Sequence, residues 1–203
     1  MSETKEKILV AALHLFAKDG YEAVSVSKIA EKLGITKGAL YKHYESKRDI
    51  FNSIVVRMSQ LDHEIARKYG VPENVFDCVP GQYEQIGLEN LKNFAISQYR
   101  FWTFDEFAAD YRKMLTLEQY RNPELNKLYQ DSLVSGPVLY LEDIFREMIN
   151  CGVLKTNDPY QLAIEFFSPL FLLINMSDEN ETFGDIENRL IKHIDFFIEC
   201  HAK

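Results

Sequence analysis

Apolar residues recur three or four positions apart over long stretches of this chain, which is the spacing of amphipathic helices. No stretch alternates apolar and polar residues as a strand does. The first stripe runs from Ile8 to Phe16 and stops at Asp19-Gly20, where glycine suits the left-handed residue that follows a helix. The pattern therefore predicts a first helix that ends before Gly20.

Two short helices are predicted next. Either Ser25 or Ser27 can cap a helix that Gly34 ends, and Thr36 can cap a third helix over residues 37–43. Two short helices separated by a glycine turn are typical of a helix-turn-helix. The first 47 residues thus predict a compact three-helix head.

The rest of the chain also has helical periodicity. Ser46 followed by Asp49 resembles a capping box and begins a fourth helix that ends near residue 70, and residues 71–83 read as an irregular connection. Further helices are predicted at 84–111, in a short segment at 114–120, at 124–150 with a break at Gly136-Pro137, at 157–175 and at 184–200. The predicted fold is all-α with about nine helices: a head over residues 1–47 and a helical bundle over 48–203.

The distribution of charge also distinguishes the N-terminal part of the chain from the rest. The whole sequence has a net charge of -8 from 23 Lys+Arg and 31 Asp+Glu. Residues 1–60 hold 10 basic and 7 acidic residues, a balance of +3, so the remaining residues carry -11. A basic head on an acidic body indicates an anionic partner for the head alone.

Composition limits the location and the redox chemistry of the protein. Three cysteines are too few for a disulfide framework or a four-thiolate metal site. The N-terminus lacks a signal-peptide pattern, and the longest apolar run, residues 169–174, is too short to span a bilayer. We expect a soluble cytoplasmic protein without a membrane segment.

The stretch from Ser25 to Lys47, SVSKIAEKLGITKGALYKHYESK, resembles the DNA-binding head of the tetracycline-repressor (TetR) family. The resemblance covers roughly residues 4–55, including the first helix, and Ser27 stands where many members carry arginine. It implies a transcriptional regulator with an all-helical body that binds a small-molecule effector and forms homodimers. By family habit it also implies a repressor.

Exposed polar groups on the third helix suit contact with duplex DNA. Lysines can reach phosphates, Gly38 allows close approach, and Tyr41 and His43 offer hydroxyl and imidazole contacts. We expect base reading from Lys37, Gly38, Tyr41 and Lys42. The DNA contacts that the family resemblance implies are Ser25, Lys28, Thr36, Lys37, Gly38, Tyr41, Lys42, His43 and Lys47.

Aromatic residues cluster between Phe94 and Tyr111 in the body, and the single tryptophan of the chain is among them. An aromatic stripe at helical spacing is most often core packing. The family resemblance implies the alternative, a ligand cavity among the middle helices with aromatic walls. The candidate effector-binding residues are Trp102, Phe107, Tyr111, Met114, Tyr129 and Phe167.

The last two predicted helices carry wide apolar faces. Such faces exceed what one side of a bundle needs, so they indicate a homodimer interface, as the family resemblance also implies. The alternative is complete burial within one subunit. The candidate interface residues are Leu162, Phe166, Leu170, Ile174, Ile186, Leu190, Ile194 and Phe197.

The sequence contains no pattern of residues typical of an enzyme active site. His63-Glu64 lacks a second histidine four residues on, and the chain has no glycine-rich phosphate loop and no Gly-x-Ser-x-Gly elbow. We expect no enzyme, no metal and no cofactor. The sequence favours a regulator that binds a palindromic operator as a homodimer and is released by an effector, with a helical ligand-binding or protein-interaction module without DNA binding as the alternative.

Overall fold

A computed structural model of the chain describes residues 3–68, 87–179 and 183–203. These ranges contain ten helices and no strand, apart from an isolated antiparallel bridge between Leu154 and Ala202. The predicted all-α fold is confirmed. The helices are α1 Glu3–Asp19, α2 Val26–Lys32, α3 Lys37–Tyr41, α4 Lys47–Lys68, α5 Leu88–Phe104, α6 Glu106–Glu118, α7 Pro123–Leu133, α8 Ser135–Asn150, α9 Pro159–Met176 and α10 Phe183–His201.

The first two helices end where the sequence predicts, and α3 begins at Lys37 as predicted but ends at Tyr41, two residues before the predicted end. The Ser25 hydroxyl accepts a hydrogen bond from the Lys28 amide at 3.2 Å, so Ser25 rather than Ser27 caps α2. The Thr36 hydroxyl accepts from the Ala39 amide at 3.1 Å and caps α3. Each cap satisfies a backbone donor that has no partner inside its helix.

Glycine turns and a capping box complete the head. Gly20 follows α1 with a φ of 86°, which side chains other than glycine rarely adopt. Before α4, the Ser46 hydroxyl accepts from the Asp49 amide at 3.0 Å, and the Asp49 carboxylate accepts from the Glu45 amide at 3.0 Å. The predicted capping box is therefore present, with its acid reaching the residue before the serine.

Two helix boundaries in the body differ from the prediction. The helix expected over 84–111 ends at Phe104, because Asp105 leaves the helical path and caps α6 through the Ala108 amide at 2.9 Å. The segment expected at 114–120 is mostly the last turn and a half of α6. The helix expected over 124–150 breaks at Val134, and Gly136 lies in the first turn of α8.

The chain packs into two compact units. Unit 1 consists of Met1–Asp62 and Asp105–Tyr129, and unit 2 consists of His63–Phe104 and Gln130–Lys203. In unit 1, α6 packs along α1, and in unit 2, α9 packs on α8, α10 and α5. These units follow packing alone, so the functional boundary after residue 47 stays a prediction. Within the described ranges, no helix combines the length and apolar character that crossing a membrane requires.

Candidate nucleic-acid interface

The head presents most of its predicted DNA-contact residues to solvent. Leu40 and Tyr44 lie in the core with 0% and 1% of their surface exposed, as expected, and this fixes which side of α3 faces outward. His43 and Lys47 are half-buried. The other seven predicted contacts are exposed: Ser25, Lys28, Thr36, Lys37, Gly38, Tyr41 and Lys42.

Tyr44 links the segment after α3 to the start of α1. Its hydroxyl donates a hydrogen bond to the backbone carbonyl of Lys5 at 3.1 Å, and the Lys5 ammonium lies 4.8 Å from the centre of its ring. Burial raises the pKa of Tyr44 to about 12. The ring therefore stays neutral at physiological pH and serves as a fixed support under the exposed face.

Lys37 and Tyr41 form an exposed cation–aromatic pair on α3. They are four residues apart and share one side of the helix, with the Lys37 ammonium 5.8 Å from the centre of the Tyr41 ring. Tyr41 is 44% exposed although it is aromatic. Such a pair can offer a charged donor to a phosphate and a hydroxyl to a base edge side by side.

Two of the predicted phosphate contacts also have partners within the head. The Lys28 ammonium lies 2.9 Å from the Asp19 carboxylate, and this hydrogen bond lowers the pKa of Asp19. The Lys47 ammonium donates to the Tyr21 carbonyl at 2.9 Å and lies 4.2 Å from the centre of the Tyr21 ring. Lys47 thus bridges the turn after α1 and the start of α4, a position that the sequence analysis did not anticipate.

A set of polar contacts joins the head and the start of α4 to α6 and α7 within unit 1, and no sequence pattern predicts it. The Tyr21 amide donates to the buried Glu118 carboxylate at 2.9 Å. At the other end of α6, Asp110 lies 3.1 Å from the His14 ring nitrogen. Since the Tyr21 and Glu118 pair is 97 residues apart, no local pattern could have signalled it.

Arg48 and Glu124 form a further contact of this set. Their two-pronged contact includes a hydrogen bond of 2.7 Å, and it lowers the pKa of Glu124 and raises that of Arg48. Both side chains are about half exposed, so the pair adds geometric definition more than stability. Three contacts therefore join α6 and α7 to α1, to the turn after α1 and to the start of α4.

Comparison with known proteins identifies the segment that carries this face. Residues 8–54 match the family model described as bacterial regulatory proteins, tetR family. The chain is 43% identical over 82 residues to the uncharacterized HTH-type transcriptional regulator YerO of Bacillus subtilis, and 42% identical over 64 residues to the HTH-type transcriptional repressor BepR of Brucella suis. Over residues 8–54 the chain therefore carries a segment that matches the tetR family.

These sequence matches are confined to part of each protein. They cover 40% and 32% of this chain, and 26% and 31% of the relatives' own lengths. Both relatives are named as transcriptional regulators and not as enzymes, as the sequence analysis expects for this chain. The fold likeness is wider: the triclosan complex of SmeT, a repressor from Stenotrophomonas maltophilia, has a TM-score of 0.69, 19% identity and coverage of 100% of this chain and 93% of that chain.

The predicted effector-binding residues lie in both units. In unit 1, Tyr111 and Met114 are 2% and 0% exposed, whereas Phe107 and Tyr129 are half-buried, and burial raises the pKa of Tyr129. In unit 2, Trp102 is buried and its indole N–H donates to the Gln98 side chain at 3.1 Å. Much of the predicted aromatic stripe is therefore core.

Phe167 occupies a different setting. It is half-buried on the side of α9 that faces away from the core, with its ring 6.1 Å from that of Phe171. Tyr160 and Ile164 share this side at helical spacing, and neither is buried. These four residues form a stripe that we call the outer α9 stripe.

The predicted dimer-interface residues are buried within the single chain. All eight are at most 5% exposed in the single chain, because α9 and α10 pack these faces against each other and against α5 and α8. Rings of Phe166 and Phe197 lie 5.0 Å apart, and both pack on Phe145. The side chains with this low exposure are Leu162, Phe166, Leu170, Ile174, Ile186, Leu190, Ile194 and Phe197.

Metal binding has no candidate among the residues described. No group of three or more His, Cys, Asp or Glu side chains in those ranges is placed to hold an ion. The two described cysteines, Cys151 and Cys200, are both exposed and free.

Proposed function

We propose that this protein is a tetR-family DNA-binding transcriptional repressor acting in the cytoplasm. The observation that carries the proposal is the exposed face of α2 and α3, in which Lys37, Tyr41 and Lys42 stand outward on the buried support of Leu40 and Tyr44. A rigid support matters because base reading requires donors and acceptors held at fixed positions relative to the groove edges. This face lies within the segment that matches the family model.

The charge of the head supports an anionic partner. A net balance of +3 over residues 1–60, in a chain of net charge -8, concentrates attraction for phosphates at the head. The exposed ammonium groups of Lys37 and Lys42 extend this attraction to the surface that we assign to DNA. Repulsion from the acidic remainder favours approach of duplex DNA through the head.

The proposed regulator acts as a homodimer on a palindromic operator. One short helix contacts few base pairs, and two copies related by a two-fold axis read two half-sites about 34 Å, or one turn, apart. Because the predicted interface residues are buried, the proposed contact uses the outer α9 stripe: Tyr160, Ile164, Phe167 and Phe171. A face of this kind, isologous across the two-fold axis, suits a closed dimer.

A small molecule is the proposed effector. The triclosan complex of SmeT supports this proposal, since that protein has the same fold. The single tryptophan, Trp102, is 8% exposed and lies in the aromatic part of unit 2, so it provides an internal probe of ligand binding. An effector that binds near it changes the intensity or wavelength of its fluorescence.

The proposed response is a population shift between two arrangements of the heads. The α4 helix is continuous from Lys47 to Lys68, so a small tilt of this helix displaces the residues that precede it. Displacement takes Lys37 and Tyr41 out of register with successive major grooves. A bound effector that leaves operator affinity unchanged would contradict this mechanism.

Lys37→Ala tests the DNA-binding face. We expect specific affinity for a selected duplex to fall about tenfold to a hundredfold, as for the loss of one specific contact. If the lysine also neutralises a phosphate, the slope of log affinity against log salt falls by about one. Fluorescence anisotropy of labelled duplex across a salt series measures both quantities.

Lys18→Ala is the matched control. Lys18 is an exposed lysine in the last turn of α1 and is outside the predicted contacts, so its removal changes the net charge equally. We expect its effect on affinity to be small. If both variants bind alike, the proposed face is wrong, and if the native chain binds no duplex, the alternative of a module without DNA binding gains support.

A further inference from the structure

We propose that Glu118 is a positioning residue for DNA binding, acting through the turn at Gly20-Tyr21. This inference rests on the proposed function and adds to it the contact that sets the geometry of the head. Glu118 is the last residue of α6 and is 1% exposed, which is rare for a glutamate. Its carboxylate accepts a hydrogen bond from the Tyr21 amide at 2.9 Å.

The turn is shaped around this carboxylate. A Cβ atom built on Gly20 would lie 2.6 Å from the Glu118 carboxylate oxygen, which is closer than real Cβ atoms come. Glycine at this position therefore permits both the φ of 86° and the approach of the carboxylate. The Gly20-Tyr21 turn and the Glu118 side chain fit each other as a pair.

The backbone that carries Glu118 is held at the end of α6. The Glu118 carbonyl accepts the amides of Arg121 at 2.9 Å and Asn122 at 3.0 Å, which closes the end of α6. Nearer the start of α6, Asp110 contacts His14 of α1. These contacts keep the end of α6, from which the Glu118 side chain extends, at a fixed place beside the turn.

Through its other contacts, Tyr21 also positions residues that we propose to contact DNA. Its ring packs on Phe16 and Phe51, with both centroid distances 5.1 Å, so the turn is seated between α1 and α4. Its carbonyl accepts the Lys47 ammonium at 2.9 Å. One residue thus receives Glu118 at its amide and holds Lys47 at its carbonyl, and it precedes the cap of α2 at Ser25 by four positions.

The hydrogen bond between Glu118 and Tyr21 keeps the head ordered before it binds DNA. With the Tyr21 amide held, the start of α2 and the Lys47 ammonium are already placed, and binding loses less conformational freedom. Without the hydrogen bond, the buried amide lacks its acceptor and the turn can shift. Affinity for DNA then falls because part of the binding surface must be ordered during binding.

The experiment uses the full chain and a duplex that the native protein selects from a random pool. Glu118→Ala removes the acceptor, whereas Glu118→Gln retains an oxygen that can accept the Tyr21 amide. Glu106→Ala, an exposed glutamate in the first turn of α6, is the matched control. Anisotropy titrations over a salt series give the affinity and the salt slope, and hydrogen exchange gives the protection of the Tyr21 amide.

We expect Glu118→Ala to bind at least about tenfold more weakly and to lose about one unit of salt slope, because Lys47 is no longer held where it reaches a phosphate and this contact is missing from the complex. Glu118→Gln should bind within about threefold of the native chain, as should Glu106→Ala, since both keep an acceptor for the amide. A role in stability alone would lower the melting temperature and leave the salt slope of the folded protein unchanged.

Other results would overturn the inference. Native-like affinity and slope in Glu118→Ala contradict it, and so does equal weakening by Glu118→Gln, since charge rather than the hydrogen bond would then matter. If Glu118→Ala does not fold, Glu118→Asp withdraws the carboxylate from the amide and carries the same expectation. If the native chain selects no duplex, the proposed function is overturned as well. If the native chain binds a selected duplex and Glu118→Ala binds it equally well, the inference alone is overturned.

Discussion

Phe197→Ala compared with Phe196→Ala gives a sharp test of how α10 is buried. The two neighbouring phenylalanines undergo the same chemical change, but Phe197 is 0% exposed and Phe196 is 61% exposed. The ring of Phe197 packs on Phe145 at 5.5 Å, Phe166 at 5.0 Å and His201 at 4.7 Å, measured between centroids. Removing it leaves a cavity in the centre of unit 2.

The expected magnitudes differ widely. Truncation of a buried phenylalanine costs about 3–5 kcal/mol, and in a chain of this length each kcal/mol lowers the melting temperature by about 2–4 °C, which gives about 6–20 °C in total. Truncation of an exposed phenylalanine changes the free energy of unfolding by about 0.5 kcal/mol or less. The contrast follows from burial alone, because the residue type and the helix are the same.

Urea unfolding followed by circular dichroism at two protein concentrations measures both variants. Phe197→Ala should lower the unfolding midpoint at both concentrations, because its contacts lie within one chain. If Phe197 instead belonged to a dimer interface, its effect would depend on protein concentration and the single chain would keep its stability. Similar losses in the two variants would refute the assignment of Phe197 to the core.

Two further predictions concern a cap and an ion pair. Thr36→Val should lower the free energy of unfolding by about 1 kcal/mol in urea titrations, because α3 loses its cap, and Thr36→Ser should not; equal losses would show that the hydroxyl is not the stabilising group. Hydrogen bonds from Arg100 hold the pKa of Glu187 below its ordinary value of 4.5, so this pair stabilises the fold above that pH and the stabilisation is lost as the pH falls through the lowered pKa. Arg100→Gln should therefore cost about 0.2–1 kcal/mol at neutral pH, with a difference that shrinks below pH 4.5, and a constant difference across the pH range would contradict this.

Local signals explain why the head was predictable. Ser25, Thr36 and Ser46 cap helices through amides three residues away, and Gly20 adopts its positive φ within a single turn. Such features depend on neighbours in sequence, and propensity and capping rules describe them well. The all-α fold and the helix-turn-helix follow from the same local rules.

The break between α5 and α6 shows where local signals are weak. Asp105 lies in a run of aromatic residues at helical spacing, with neither glycine nor proline beside it. An aspartate can sit on a helix surface or cap a new helix, and the pattern around it fits both. Only packing decides between the two, and here it favours the cap on α6.

Tertiary contacts account for the rest of what the sequence did not reveal. A helical wheel shows that Phe166 and Phe197 share apolar faces, but it does not show that α8 and α5 cover those faces. Lys47 carries a charge suited to binding phosphate, yet its ammonium donates a hydrogen bond to the Tyr21 carbonyl and packs on the Tyr21 ring. The link from Glu118 to Tyr21 depends on residues that meet only in the folded chain.

Selection of bound duplexes from a random pool tests the central claim most directly. The purified native chain and Lys37→Ala are incubated in parallel with the pool at near-physiological salt, and the bound sequences are read. We predict that the native chain alone enriches a palindrome with half-site centres about 34 Å, or one turn, apart. Failure of the folded native chain to enrich any sequence, or enrichment of the same palindrome by Lys37→Ala at equal strength, would contradict DNA binding through this face.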